Sequence, residues 1–275
     1  MEGSFQPGQG ILEIACVGGQ SVVTRARCAY PLKLFTPRRH GGIAWVYTST
    51  YGGGIVDGDH TRLVMRIGRG ATCVMNTQSS TKVYKNRSGV PCSQYLRAIV
   101  SKDAILVVTP DPTTCFAGAL YELRQQFELD PGATLIFVDW LTSGRRACGE
   151  RWAFSRFYSR TDIWLAKEHL LAERLLLDPD NGPIDAPYCL GRFHCLACVV
   201  VVGSRLDREI QDILGHVNLQ PISTDSQLIE AASPIQYGVL LRILGTSTEQ
   251  VGRLLRKRLN FLRDVLGDTP WARKW

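Results

Sequence analysis

Arg69-Gly70-Ala71-Thr72-Cys73-Val74 recurs, in pattern, as Lys102-Asp103-Ala104-Ile105-Leu106-Val107 and again as Pro131-Gly132-Ala133-Thr134-Leu135-Ile136. The aligned alanines stand 33 and 29 residues apart. Each copy follows one apolar, strand-like run and opens another. A strand-turn-strand unit returning about every 30 residues predicts stacked β layers, in which each unit buries its face on the next. Unrelated hairpins in an ordinary sandwich produce a similar echo, so the repeat leaves that alternative open.

Working outward, the first two thirds of the chain read as β. Leu12 to Val17, Val22 to Cys28, Ile43 to Thr48 and Leu63 to Ile67 are short, rich in β-branched residues and bounded by Gly or Pro. Leu63, Met65 and Ile67 alternate with Arg62, Val64 and Arg66, which predicts one drier face. The last third changes character. Ser204 to Val217 has helical spacing, Ile235 to Leu244 reads as a strand, and Thr246 to Leu266 reads as one helix. That helix opens on a Thr246/Glu249 capping box and stops at Gly267. Its apolar stripe reads as core packing, and its basic side, with Arg253, Arg256, Lys257 and Arg263, is the alternative partner-docking face. The expected fold is mainly β, with stacked, β-helix-like layers and α-helices added toward the C-terminus, α+β overall. Residues 1–200 form the stacked body and 201–275 an α/β portion packed on it.

Bulk composition excludes more than it assigns. At 275 residues, with 45% hydrophobic and 21% charged side chains, the chain can bury a sizeable core. The net charge of +7 points to an acidic partner, although the charges look scattered. Lys82, Tyr84, Lys85 and Arg87 make only a short basic patch, less than nucleic-acid binding asks for. The longest apolar run, Cys195 to Val202, is far short of the ~20 residues that span a bilayer. The N-terminus lacks the basic and apolar regions of a signal peptide, and nine irregularly spaced cysteines read as reduced thiols. The expected location is the cytoplasm.

Three polar stretches interrupt the apolar runs. Gly52-Gly53-Gly54-Ile55-Val56-Asp57-Gly58-Asp59 is a tight, glycine-rich bend with two carboxylates, either a cation-holding turn or an acidic surface turn. Thr77-Gln78-Ser79-Ser80-Thr81-Lys82-Val83-Tyr84-Lys85 follows a strand, and so does Asp139-Trp140-Leu141-Thr142-Ser143-Gly144-Arg145, with Gly149-Glu150-Arg151-Trp152 beyond it. Polar residues just past strand ends are where sites tend to be built. Asp139 ends the apolar Leu135 to Val138 run, so it is either paired, with Arg145 the candidate partner, or facing a wet cavity. Lys82 and Tyr84 also read as cross-strand packing with exposed tips. Cys189, His194, Cys195 and Cys198 invite a metal reading, but a second ligand pair at matching spacing is missing, and buried thiols opening a Val-rich run explain them as well. Neither a Gly-x-Ser-x-Gly elbow nor a P-loop is present.

These three stretches, in this order, with Tyr30-Pro31-Leu32-Lys33-Leu34 before them, resemble the urease accessory protein D family (UreD, also called UreH) over roughly residues 10 to 265. The resemblance implies an elongated β stack that is not an enzyme. It implies a scaffold that helps bring nickel to apo-urease together with a helical accessory protein of the UreF type and a GTPase of the UreG type. No tightly bound cofactor is expected, only transient Ni2+. Nickel(II) is served by carboxylate, imidazole, thiolate and water, and a protein that passes it onward should hold it weakly. Asp59, Asp139 and Glu150, with the hydroxyls of Thr77, Ser79 and Ser80, are therefore the expected route, supported by Gly53, Gly54, Gly58, Lys82, Tyr84 and Arg145. Cys115 stands where the family commonly has proline, which predicts a less rigid loop there. The rival reading is a metal-dependent hydrolase using Asp57, Asp59 and His60.

Overall fold

The computed structural model describes residues 5–37, 41–219 and 221–272. In chain order the strands are β1 (Gln9–Val17), β2 (Gln20–Cys28), β3 (Leu32–Phe35), β4 (Ala44–Thr50), β5 (His60–Ile67), β6 (Thr72–Thr77), β7 (Thr81–Val83), β8 (Cys92–Val100) and β9 (Ile105–Val108). They continue with β10 (Thr113–Cys115), β11 (Leu120–Leu129), β12 (Thr134–Thr142), β13 (Arg156–Leu165), β14 (Glu168–Leu177) and β15 (Cys195–Val202). After β15 come α1 (Asp207–Asn218), β16 (Leu228–Ile235), β17 (Gly238–Gly245), α2 (Thr248–Arg258) and α3 (Leu262–Leu266).

The chain alternates between two sheets. In the first, β1, β5, β8, β11 and β13 are parallel neighbours, closed at the edges by antiparallel β2 and β14. In the second, β4, β6, β9 and β12 are parallel, with β3 at one side and β15, β17 and β16 added antiparallel at the other. The result is a β-solenoid of about four turns.

The sequence repeat is the corner of this coil. At each copy the alanine N–H closes the same turn: Ala71 donates to Gly68 O, Ala104 to Ser101 O and Ala133 to Asp130 O, all at 3.0 Å. The residue before each alanine has φ of 69°, 63° and 81° at Gly70, Asp103 and Gly132. That left-handed geometry suits Gly or Asp and explains why those types recur. Successive corners stack through Ile105 N–H to Ala71 O and Thr134 N–H to Ala104 O, each 2.9 Å. The three alanines are buried in the inner corner.

Between the sheets lies an apolar core of inward residues, among them Met65, Ala98, Leu106, Phe127 and Phe137. The alternation at β5 sends Leu63, Met65 and Ile67 into it and leaves Arg62 and Arg66 outside. A second core covers the outer face of the second sheet, where α1, α2 and α3 press Ile210, Ile213, Val251, Leu255 and Leu262 onto Val107, Ile136, Val199 and Leu241. The stripe of the last helical region is thus core packing. Among the described residues no helix lies on the outer face of the first sheet, where Arg62, Arg66, Arg97, Arg124, Arg160 and Arg174 stand on the strands.

Four local expectations change. The single helix over 246–266 is two, broken around Asn260, a residue whose side chain competes for backbone groups; the break lets both Leu259 and Leu262 be fully buried. Thr246 does not cap it: ahead of the helix start, its hydroxyl donates to Gln250 Oε1 (3.1 Å) and its N–H to Gln227 O (2.9 Å). Ser247 is the cap instead, with its hydroxyl accepting from the Gln250 N–H at 3.2 Å. The strand expected over 235–244 is β17, preceded by a hairpin turn at Tyr237 (φ 57°) that leads back to β16. Cys115 lies in β10, buried, and not in a loop.

Candidate functional site: a polar chamber inside the solenoid

The second sheet splits at one level. β6 ends at Thr77 and β7 resumes at Thr81; β9 ends at Val108 and β10 resumes at Thr113. The second gap contains Pro110 and Pro112, which cannot donate to a ladder. Detouring segments are tied down locally: Asp111 N–H donates to Thr77 Oγ1 (2.8 Å), and Trp140 Nε1–H donates to Pro110 O (2.8 Å). β12 runs unbroken past the gap, with Asp139 at the level where β9 has stopped and β10 not yet begun. The wall bulges there and leaves a cavity of about 130 Å³ between the sheets.

Beside an apolar wall from Leu63, Met75, Leu96, Val108 and Leu123, its lining carries polar groups at positions that elsewhere in the same strands are apolar. Thr61, Gln94 and Gln125 enter from β5, β8 and β11, and Thr77, Ser79 and Ser80 from the split wall. Thr61, Gln94 and Tyr121 are linked: Tyr121 donates to Gln94 Oε1 (2.6 Å), and Gln94 Nε2 donates to Thr61 Oγ1 (3.4 Å). Gly53 and Gly54 close the chamber near Lys82. At Gly54 a side chain is impossible, since a Cβ would lie 2.4 Å from the Tyr84 ring and 2.8 Å from Lys82 O. Ile55 N–H to Lys82 O (2.8 Å) and Tyr84 N–H to Ile55 O (2.9 Å) join the glycine-rich bend to the Thr77 to Lys85 stretch.

β12 sends Asp139 into this chamber, and Asp111, in the second gap, lines it too. Asp139 Oδ2 accepts from Ser159 Oγ (3.1 Å) and Gln125 Nε2 (3.3 Å). Among the described residues no cation pairs with Asp139. Burial pushes its pKa up to about 6, against the opposing hydrogen bonds from Ser159, Gln125 and the Trp140 N–H. The expected alternative, an ion pair with Arg145, is not formed. Arg145 lies over the Phe116 ring at 4.1 Å and pairs with Glu150. Sequence reading missed Gln94, Gln125 and Ser159. The available signal was parity: Gln125 is in step with the apolar Phe127 and Leu129, so a polar group had to point inward.

The other candidates are placed differently. Asp59 and Glu150 do not line the chamber. Asp59 Oδ2 accepts from the Val56 N–H (3.1 Å) inside its own turn. The bond from Arg145 holds Glu150 below the usual carboxylate range. Gly58 is at the bend with a positive φ of 76°. Tyr84 packs edge-on against Phe116 at 5.2 Å, as cross-strand packing would have it, while Lys82 borders the chamber.

Asp57, Asp59 and His60 do not converge on a shared ligand. Asp57 accepts the Arg87 and Ser88 N–H groups (3.3 and 3.0 Å), and His60 Nδ1 is 2.8 Å from Ser93 Oγ. Cys195 and Cys198 lie on opposite faces of β15, one in the helix-covered core and the other toward the inner core, so they cannot share an ion. His194 Nδ1 is 3.0 Å from Ser143 Oγ, and Cys189 is exposed. Among the described residues no cluster of three or more His, Cys, Asp and Glu could hold a metal, and no helix is long and apolar enough to cross a membrane.

Fold and site together define a two-sheet β-solenoid with a polar chamber in its interior. Comparison with known proteins narrows the class. The family described as UreD urease accessory protein matches residues 6–275. The chain is 42% identical to the urease accessory protein UreD of Sorangium cellulosum (strain So ce56) over 269 residues, 98% of this chain and 84% of that protein. It is 37% identical to the UreD of Anaeromyxobacter sp. (strain Fw109-5), covering 99% and 91% of the two. It is 36% identical to urease accessory protein D of Oryza sativa subsp. indica, covering 95% and 94%. The chain belongs to the UreD urease accessory protein family, whose members act in urease maturation and are not catalysts. The hydrolase reading of Asp57, Asp59 and His60 is thereby set aside.

Proposed function

We propose that this chain is a cytoplasmic scaffold that binds apo-urease and a helical accessory protein of the UreF type, reaches a UreG-type GTPase through that complex, and offers Ni2+ a polar passage. The observation that carries the passage is the chamber. Hydroxyls and amides of Thr61, Gln94, Gln125, Ser79 and Ser80 line it together with Asp111 and with Asp139, and Asp139 has no cationic partner among the described residues. Carboxylates accompanied only by neutral oxygen donors and water make a weak site for a borderline cation, which suits cargo and not a resident cofactor. With a pKa of about 6, Asp139 is mostly ionised near neutral pH and loses its charge below it, so a proton competes with the cation for the same oxygens. Asp59 and Glu150 are kept as outlying members of the route only if removing them starves urease of nickel while leaving the complex whole.

The test is co-expression of urease subunits and accessory proteins with and without this chain at limiting nickel. Urease nickel content and activity should fall sharply without it. Equal nickel in both cultures contradicts the reading. A purified chain that retains stoichiometric nickel through dialysis contradicts the passage.

A further inference from the structure

We propose that the bare outer face of the first sheet is a docking surface for an acidic protein surface. Its rows are set by register. Arg62 lies beside Tyr95, Tyr95 beside Arg124, Arg124 beside Arg160 and Arg160 beside Arg174, so one row crossing five strands carries four guanidinium groups. Neighbouring strands are ~4.8 Å apart.

The acids on this face do not neutralise it. Glu13 lies 4.0 Å from both Arg25 and Arg66. Glu122 is 3.1 Å from Arg124 and 3.7 Å from Arg156. Asp162 pairs with Arg160 (2.6 Å) and with Arg174. Each of these carboxylates is shared by two guanidinium groups, so each cluster keeps an excess positive charge. The carboxylates act as clamps: they hold planar, multi-donor heads in a fixed array that can meet carboxylates bidentately at reduced entropic cost. Arg62 adds a further charge, resting over the Tyr95 ring at 5.3 Å.

Size and pattern select the partner. Seven strands at ~4.8 Å and roughly nine residues at ~3.3 Å give a face of about 30 Å by 30 Å. That is about 900 Å², close to the ~800 Å² per partner of a standard protein interface. A phosphate backbone, negative throughout, would be repelled by Glu13, Glu122, Glu128 and Asp162 interleaved among the arginines; a protein surface of mixed, mainly acidic character fits around them. The opposite outer face, under α1, α2 and α3, is already covered.

The probe is poly-L-glutamate, titrated onto the purified full chain at low and moderate salt, with a single-stranded 20-nucleotide DNA as comparison. The wild type should bind poly-L-glutamate, more weakly as salt rises. Arg62→Glu combined with Arg124→Glu should weaken that binding at least about tenfold, since rim charges of this kind set association and salt dependence. A control pair on the helical side, Arg253→Glu with Arg256→Glu, should leave it unchanged, and thermal melts confirm that all three proteins are folded. Equal binding by the sheet-face variant, or an equal loss from the helical-side control, overturns the proposal. Tighter binding of the DNA than of poly-L-glutamate overturns it in favour of a nucleic acid. These outcomes do not depend on whether the chain carries nickel.

Discussion

The interior of the solenoid has two halves built on the same strands. At the end near the repeated alanine corners, β5, β8, β11 and β12 contribute Met65, Ile67, Ala98, Val100, Phe127 and Phe137, and the space is filled. A few residues along, the same strands contribute Thr61, Gln94, Gln125 and Asp139, and a cavity opens. One half is packed like any core. The other gives up burial and leaves a carboxylate without a cation beside it. Groups that reduce stability and remain in a fold are candidates for function, because nothing in folding rewards them.

If that division is right, substitutions in the two halves should move stability in opposite directions. The largest effect belongs to the filled half. Phe137 is fully buried and packs on Phe127 with ring centroids 4.9 Å apart. Phe137→Ala should cost about 3 to 5 kcal/mol in chemical denaturation. A cost near zero would mean that the filled half is no better packed than the chamber.

Asp139→Asn should instead stabilise. The folded pKa of about 6 lies above the unfolded value of 3.8. The raised pKa favours folding fully below pH ~4, and that advantage is lost as pH rises through ~6. Replacing the carboxyl with an amide removes this dependence. The variant should match the wild type near pH 4 and exceed it at pH 8 by at most about 3 kcal/mol, less where chamber water solvates the carboxylate. Destabilisation at pH 8 would show that Asp139 holds the fold together.

Smaller effects test the outlying acids. Glu150→Ala breaks a partly exposed pair with Arg145 and should cost about 1 kcal/mol or less. Because that pairing depresses the Glu150 pKa, its contribution is present above pH ~4.5 and fades as pH falls. Asp59→Ala removes one turn hydrogen bond and should change stability by no more than about 0.5 kcal/mol. A sharp drop in melting temperature for either would mark it as structural.

How much of this could be read from sequence follows from what is local. The corner turns were legible, since a left-handed residue before a buried alanine is written in adjacent positions at Gly70-Ala71, Asp103-Ala104 and Gly132-Ala133. So was the drier face of β5, which needs only alternation. The chamber was half legible. Asp139 stood out as an acid ending an apolar run, but its partners Gln125 and Ser159 lie on other turns, and which residues meet is decided by inter-strand register. The choice of Arg145 as its partner failed for the same reason: nearness in sequence favoured it, while the turn at Gly144 carries it to Glu150. The arginine rows were invisible because their members stand roughly a turn apart along the chain.

The most direct measurement is urease nickel content at limiting nickel, with Asp139→Asn co-expressed in place of the wild-type chain and complex formation checked by co-purification. The account predicts a folded, more stable protein that still assembles with its partners and delivers clearly less nickel. A variant that is equally or more stable, assembles normally and loads urease to the wild-type level would contradict it.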